Sequence, residues 1–232
     1  MSVMVANIAP RIEMAWDSAG LRVKELEERL SSMQSSLVCA MNQLLDLKDL
    51  NTGFHSTRLA EWAMRVGEEL GLEEGCLRDV EVAALLHDIG KIGIPDSILH
   101  KPARLTEDEY ALMKKHPEYS WAVVRLFPGM SRASLYVLHH HENYDGTGYP
   151  GGLRAEEIPI GGRIVSVIDA FDAMVSSRPY RKGLPFEEAM RRLIIASGSQ
   201  FDPTVLNSFV NIAQGEMISV FAATGTSTSV AF

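Results

Sequence analysis

The sequence predicts an all-α protein, a helical bundle that follows one long N-terminal helix. Two observations support this. Apolar residues recur at spacings of three and four along most of the 232-residue chain, as on the buried faces of helices. No segment sustains the alternation of polar and apolar residues that a half-buried strand would show. The hydrophobic content of 46% is ample for a core.

Composition excludes several classes of protein. A formal charge of -8 argues against a general nucleic-acid or membrane-surface binder. The two cysteines, Cys39 and Cys76, lack metal-site spacing and fit a reducing compartment. Residues 1–10 lack the basic start of a signal peptide, and no apolar run is long enough to cross a bilayer. We therefore expect a soluble cytoplasmic protein with neither a DNA nor a membrane partner.

Residues 1–50 are predicted to form an N-terminal helical extension. Its apolar residues follow a heptad period and form a seam: Leu26, Leu30, Met33, Leu37, Met41 and Leu44. Such a stripe is too exposed for a lone monomer, so the favoured interpretation is a homodimer through this helix. The alternative is a helix that folds back onto its own domain.

Four helices are predicted between residues 51 and 127. Leu59 to Leu70 is amphipathic and stops at Gly71, and Cys76 to Leu86 is a second helix. Thr106 and Glu109 predict a capping box at the start of the third. Tyr119 to Phe127 continues the helical pattern.

The second half alternates helices with shaped loops. A helix ends near His141, and the glycine-rich stretch from Tyr144 to Gly152 is predicted to be a loop. The helix from Arg163 to Val175 has Asp169 and Asp172 on one face, and Pro185 starts another helix. A short helix follows Asp202-Pro203. We expect the domain to span residues 51–213, with a partly disordered tail over 214–232.

Polar residues interrupt these apolar patterns where a metal site is plausible. His87-Asp88 follows an apolar helix and precedes glycines, where burial of a carboxylate is costly unless it is paired or binds a metal. A capped helix end with an ordinary core histidine would look similar. Other candidates lie at intervals along the chain, and the full set is His55, His87, Asp88, His116, His140, His141 and Asp169.

These residue types indicate the chemistry. Imidazole and carboxylate ligands without thiolate suit iron or manganese, with zinc and nickel also compatible. Two such cations can bind a phosphate and activate water between them. Lys91, Arg178 and Lys182 would neutralise further phosphate charge. Metal-assisted phosphoester hydrolysis is therefore the reaction class that the residues favour.

The chain also resembles the HD-GYP branch of the HD superfamily over about residues 50 to 213. The resemblance depends on motifs in a fixed order, which are His87 to Pro95, Met113 to Pro117, His140 to Glu142 with Asp145-Gly146 and Gly148 to Pro150, Arg163-Ile164 to Asp172, Arg178 to Tyr180, and Gln200 to Pro203. It implies a helical HD-type fold with an N-terminal signalling, coiled-coil-like helix. It also implies a bacterial phosphodiesterase that hydrolyses cyclic di-GMP to pGpG and often on to GMP.

The resemblance also implies residue roles. His55, His87, Asp88 and Asp169 would hold one metal, and Asp88 would bridge to a second metal. The second metal's remaining ligands would be His116, His140 and His141. Lys91 would contact the scissile phosphate while a metal-activated hydroxide attacks phosphorus in line, and Arg178 and Lys182 would contact substrate phosphates. Residues that would orient the ligands and the loop, or form a partner surface beside the pocket, are Glu142, Asp145, Asp172, Gly148, Tyr149 and Pro150.

One departure and two alternatives accompany this interpretation. Some relatives bind a third metal through a glutamate at the position of Asn51, so the amide here predicts two metals and a limited second hydrolysis. A related phosphohydrolase for another substrate, such as cyclic GMP-AMP, is the first alternative. A cyclic-dinucleotide sensor or interaction module without turnover is the second. The sequence leaves the input signal and the identity of the metal open.

Overall fold

The computed structural model describes residues 9–49, 55–177 and 182–224, with side chains described for 19–48, 55–177 and 182–215. Within these ranges the secondary structure is helical, apart from one isolated bridge between Ser197 and Phe201. The all-α prediction is confirmed. In the described ranges, no helix is both long and apolar enough to cross a membrane.

Ten α-helices and two 3-10 turns make up this part of the chain. In order, the α-helices are α1 (Ala9–Asp49), α2 (His55–Glu69), α3 (Glu74–Leu86), α4 (Asp96–Leu99), α5 (Glu107–Met113), α6 (His116–Val124), α7 (Ser131–Leu138), α8 (Ile160–Val175), α9 (Phe186–Ile195) and α10 (Pro203–Thr224). The 3-10 turns are Ile89–Gly93 and Ala155–Glu157.

Contacts divide the chain into two units, one ending at Ala40 and one beginning at Met41. In the first, the apolar seam is exposed: Leu26, Leu30 and Met33 are 56%, 53% and 70% exposed. Met41, predicted to belong to this seam, is instead buried in the second unit with Leu45. Leu45 follows Met41 by one turn, so both lie on the face of α1 that is buried in this unit.

The second unit has its core around α8. This helix contacts α2, α3, α7, α9 and α10. Its buried side chains include Ile164, Val165, Ile168 and Phe171, and Phe171 packs edge-on against Phe209 of α10. An element in contact with five others fixes its two carboxylates, Asp169 and Asp172, relative to the whole unit.

Local sequence signals explain where several helices start. Thr106 and Glu109 form the predicted capping box of α5, each accepting from the other's backbone N–H. Pro185 is the N-cap residue of α9. Asp202 caps α10 by accepting from the Thr204 N–H at 2.7 Å, and Arg163 pairs with its other oxygen at 2.5 Å. The motifs at 163 and 200–203 therefore have structural roles.

The C-terminal helix differs from its prediction. The sequence predicts a short helix and a tail from residue 214, but α10 is 22 residues long and ends at Thr224. After Gly215 the sequence has no helix breaker until Gly225, and its apolar residues extend the helical pattern. Residues 225–232 of the predicted tail lie outside the described residues.

Candidate metal centre

Three buried histidines are held in the same way. The Nδ1 atoms of His87, His116 and His140 lie 2.9, 2.9 and 2.6 Å from the carbonyl oxygens three residues earlier in the chain. A carbonyl can only accept, so each Nδ1 donates, and in the neutral form of each ring the lone pair is on Nε2. His87 and His140 follow the last turns of α3 and α7, where such carbonyls are free of helical partners.

The freed Nε2 atoms are buried and lack hydrogen-bond partners. Those of His87, His116 and His140 all have this property within the described part of the chain. Two of them lie 3.3 and 3.2 Å from the Asp88 oxygens, close but without hydrogen-bond geometry. Buried polar atoms without partners are costly and rare, and they call for a ligand. A divalent cation fits this donor set of imidazole nitrogens and carboxylate oxygens.

The predicted ligands form two groups. Ligand atoms of His116, His140 and His141 all lie within 4.8 Å of one another, and so do those of His55, His87 and Asp88. Asp88 faces both groups: Oδ2 is 3.3 Å from His87 Nε2, whereas Oδ1 is 3.2 Å from His116 Nε2. Asp169 Oδ1 lies 3.6 Å from His55 Nε2 and 3.8 Å from His87 Nε2. All seven predicted ligand residues are thus brought together.

The two groups differ in electrostatics. Burial lowers the pKa of His140 well below its usual value, and burial with the neighbouring His116 lowers that of His141 to about 4. Both imidazoles are therefore neutral at pH 7, the form that binds a metal. Burial alone would lower the pKa of His87, but Asp88 and Asp169 outweigh it and raise this pKa to about 9.

Asp88 is a buried carboxylate with cationic neighbours. Burial would raise its pKa, but Lys91 and His87 hold the pKa well below its usual range. The Lys91 Nζ donates to Asp88 Oδ2 at 2.6 Å. Lys91 therefore places positive charge at the edge of the cluster, as predicted for a group that contacts a phosphate.

Ser120 connects the His-Asp motif to α6. Its hydroxyl donates to the His87 carbonyl and accepts from the Gly90 N–H, each at 2.8 Å. Gly90 lies so close to α6 that a Cβ there would come within 2.1 Å of the His116 carbonyl oxygen. Gly90 is therefore required where two ligand-bearing segments meet. Ser120 was not predicted from the sequence, where only its position one turn after His116 could have suggested it.

The glycine-rich loop is held by Glu142. This buried carboxylate accepts from the Gly151 and Leu153 N–H groups at 2.6 and 3.2 Å, and it lies 3.2 Å from His139 Nδ1. A Cβ at Gly148 would come within 2.2 Å of a backbone nitrogen, so this position also needs glycine. Glu142 thus orients the loop and contacts His139, which is outside the predicted ligand set.

Tyr149 places the loop against the cluster. Its ring stacks on His141 with centroids 5.0 Å apart and an interplanar angle of 30°. The Lys114 Nζ lies 5.9 Å from the Tyr149 ring centroid and 5.2 Å from that of Tyr110. Neither Lys114 nor Tyr110 was predicted from the sequence as part of the site, although Tyr110 lies on α5 and Lys114 is its C-cap residue, next to His116.

The remaining residues predicted for the site lie on the loop, at the surface or outside the described residues. Asp145 is exposed and accepts from the Thr147 backbone N–H at 3.0 Å, so it shapes the loop locally. Pro150 is half-buried, and Lys182 is exposed. Arg178 and Asn51 lie outside the described residues.

Asp172 contacts His55 at Nδ1, whereas Asp169 faces the other ring nitrogen, Nε2. Asp172 Oδ2 lies 2.5 Å from His55 Nδ1, and its Oδ1 accepts from Arg58 Nε at 2.5 Å. Burial would raise the pKa of Asp172, but the hydrogen bonds from His55 and Arg58 lower it to about 2. Arg58 was not predicted from the sequence, although its spacing of three from His55 puts both residues on one helix face.

Comparisons with known proteins agree with the fold and the motifs. A family profile described as "HD domain" matches residues 39–205. The chain is 42% identical over 174 residues to a cyclic di-GMP phosphodiesterase of Thermotoga maritima, which covers 74% of this chain. It is 37% identical over 229 residues to the cyclic di-GMP phosphodiesterase response regulator RpfG of Xanthomonas campestris pv. campestris, covering 89%. The chain spans only 47% and 60% of these two relatives.

Solved structures share the fold. One is a cyclic GMP-AMP-specific phosphodiesterase of V. cholerae, with a TM-score of 0.62 and 20% identity over 78% of this chain and 48% of that one. Another is the HD-GYP-type protein Bd1817 of Bdellovibrio bacteriovorus, with a TM-score of 0.54 and 23% identity over 69% of this chain and 51% of that one. From its family profile, motifs and relatives, the chain belongs to the HD domain family, in the HD-GYP branch.

Proposed function

We propose that this chain is a metal-dependent phosphodiesterase that hydrolyses cyclic di-GMP to pGpG, with only a limited second hydrolysis to GMP. One observation carries the proposal: three buried Nε2 atoms without partners, beside a carboxylate that faces two groups of histidines. A ligand must satisfy these atoms, and cations match their chemistry. The relatives named as cyclic di-GMP phosphodiesterases support the choice of substrate.

Two cations are proposed, with iron or manganese favoured. His55, His87, Asp88 and Asp169 would hold one, and Asp88 would be shared with the second. The remaining ligands of the second would be His116, His140 and His141. When bound, such a pair neutralises phosphate charge and supplies an activated water.

The chain's own contribution is binding and orientation. Lys91, already paired with Asp88 at 2.6 Å, is proposed to contact a non-bridging oxygen of the scissile phosphate. A cyclic dinucleotide has two phosphates, and Arg178 and Lys182 are proposed to contact the charge that Lys91 does not reach. Tyr149, stacked on His141, would form the pocket wall on the loop side and part of a surface for a signalling partner.

The proposed organisation has a catalytic domain over 51–213 and a dimerisation helix before it. The exposed apolar residues of α1 support a homodimer with a second copy of the chain. The favoured number of metals remains two, because Asn51 stands where a third metal would need a carboxylate.

The experiment uses protein purified anaerobically and loaded with Fe²⁺ or Mn²⁺. Cyclic di-GMP, cyclic GMP-AMP and bis(p-nitrophenyl) phosphate are supplied separately, and products are followed by chromatography over time. We expect cyclic di-GMP to be consumed, with pGpG appearing before GMP. Asp88→Asn should reduce turnover at least about 100-fold and lower the metal content, because one shared ligand is weakened. Asp108→Asn, at an exposed position of α5, is the matched control.

Three outcomes would contradict the proposal. Binding of cyclic di-GMP without turnover by fully loaded protein would favour the sensor alternative. Faster consumption of cyclic GMP-AMP would reassign the substrate, and the 35% identity over 179 residues to a 3'3'-cGAMP-specific phosphodiesterase of Vibrio cholerae makes this comparison necessary. Full activity and both metals in Asp88→Asn would overturn the assignment of the centre.

A further inference from the structure

His55 is oriented by a different device from the other buried ligand candidates. His87, His116 and His140 each donate through Nδ1 to a backbone carbonyl three residues earlier. Side-chain substitutions elsewhere leave these carbonyls in place. His55 is the first residue of α2, and its Nδ1 instead lies 2.5 Å from Asp172 Oδ2. Its orientation therefore depends on another side chain.

That side chain is itself held by Arg58. Arg58 Nε donates to Asp172 Oδ1 at 2.5 Å, and its Nη2 donates to Ser176 Oγ at 3.0 Å. The Ser176 hydroxyl donates in turn to Asp172 Oδ2 at 3.2 Å. These three side chains form a closed ring that joins α2 to the end of α8.

Burial makes Arg58 more than a surface partner. The Asp172 side chain is only 4% exposed, whereas Arg58 is 42% exposed and reaches in from the protein surface. If the cationic partner of a buried carboxylate is removed, the carboxylate is left without the positive charge and the hydrogen bonds that fixed its position. Without Arg58, Asp172 is free to turn toward Ser176, and His55 loses its anchor.

We propose that Arg58 is a positioning residue that controls metal retention in the half of the centre containing His55. Arg58 acts through Asp172. Its removal would leave the half formed by His116, His140 and His141 intact. This inference rests on the proposed function, because it requires the two-metal centre. A lysine would replace Arg58 only in part, since the guanidinium donates to two acceptors at once through Nε and Nη2.

The test measures metal binding rather than activity. Wild type, Arg58→Met, Arg58→Lys and Arg78→Met are reconstituted anaerobically with Mn²⁺. Metal per chain is then quantified, and dissociation constants are obtained by chelator competition. Arg78→Met is the matched control, because it removes a surface arginine whose partner is Glu74 on the same helix, 2.6 Å away. Circular dichroism and thermal unfolding establish that each variant is folded.

We expect two manganese ions per chain in wild type and in Arg78→Met. Arg58→Met should keep one tightly, with the dissociation constant of the other raised about 10- to 100-fold, the usual effect of losing an outer partner of a ligand. Arg58→Lys should fall between them. This order would show that the ring, and not the surface charge alone, retains the metal.

The contrary outcomes are distinct. Two ions held with wild-type affinity by Arg58→Met would overturn the inference and leave the proposed function standing. Loss of both ions from a folded Arg58→Met would contradict the inference that Arg58 affects only the half of the centre containing His55. Fewer than two ions in wild type would overturn the two-metal centre itself. If Arg58→Met does not fold, wild-type affinity in Arg58→Lys would overturn the inference.

Discussion

At the scale of single residues, backbone carbonyls determine the chemistry of three imidazoles. Each holds one Nδ1, and the opposite nitrogen is left bare in a buried site. Every residue has a backbone carbonyl, so the group that holds Nδ1 leaves no trace in the sequence. The sequence records only that a histidine is present at each position. Sequence motifs predict such candidate ligands, but they give no sign of what orients them.

Gly90 tests how tightly the ligand-bearing segments are packed. We expect Gly90→Ala to destabilise folding by about 1–3 kcal/mol, because the new methyl group would overlap the His116 carbonyl and Ser120. It should also weaken metal binding, since the overlap pushes His116 away from Asp88. Denaturant unfolding and metal titration measure the two effects.

The control for Gly90→Ala is Gly75→Ala in α3, where a Cβ would meet only Arg78 at 3.8 Å. Alanine favours helix, so this change should stabilise by roughly 0.5–1 kcal/mol or leave stability unchanged. Equal stability of the two variants would contradict the packing argument.

Glu142 tests what holds the glycine-rich loop. Glu142→Gln puts an amide NH₂ where two acceptor oxygens now face backbone N–H groups, so one donor would be left unpaired. We expect a loss of about 1–3 kcal/mol in unfolding free energy and faster hydrogen exchange at Leu153. Glu107→Gln, at an exposed position of α5, should change neither. Unaltered exchange at Leu153 would show that the loop is held by other contacts.

At the scale of elements, α8 shows what could be predicted from sequence. Its apolar run and the spacing of Asp169 and Asp172 were sufficient to predict a buried helix with two carboxylates on one side. Their different tasks follow only from the family resemblance and not from the helix spacing: Asp169 faces His55 and His87, while Asp172 lies behind His55. A shift of three residues moves a side chain along the same face, and only the packing of α2 distinguishes the two positions.

Helix α1 presents the opposite case, because its apolar residues keep a heptad period although they are exposed. Val23, Leu26, Leu30, Met33 and Leu37 are 37–70% exposed and fit alternating a and d positions of a heptad. In a parallel in-register pair, Arg22 at g would face Glu27 at e of the second copy, which is favourable by charge. The seam therefore fits a second copy of the same helix.

We expect Leu30→Glu to raise the dissociation constant of the homodimer at least about tenfold, because it places a charge from each chain in the seam. Leu21→Glu is the matched control: Leu21 is 71% exposed on the same helix, but it lies at an f position away from the seam. Sedimentation equilibrium of both variants measures the difference. A dimer equally sensitive to the two changes would show that the seam is not the interface.

At the scale of the whole molecule, the candidate centre joins segments that are far apart in the chain. Its candidate ligands lie at the start of α2, just after α3, at the start of α6, just after α7 and within α8. The sequence order of the motifs predicted this set, but not the Arg58 ring or the carbonyl contacts, which exist only after these helices pack. Because the candidate ligands converge from five helices, a metal bound there would cross-link the folded unit.

This cross-linking predicts a stability effect separate from catalysis. A metal that binds only the folded chain stabilises it by about 2.7 kcal/mol when present at 100 times its dissociation constant. For a domain of this size each kcal/mol shifts Tm by roughly 2–4 °C. We therefore expect chelation of a metal-loaded sample to lower Tm by about 5–10 °C and readdition of Mn²⁺ to restore it. In Asp88→Asn the chelator should have a much smaller effect, because the shared ligand is already weakened. A Tm that chelation leaves unchanged in the loaded wild type would mean that the buried nitrogens have some other partner.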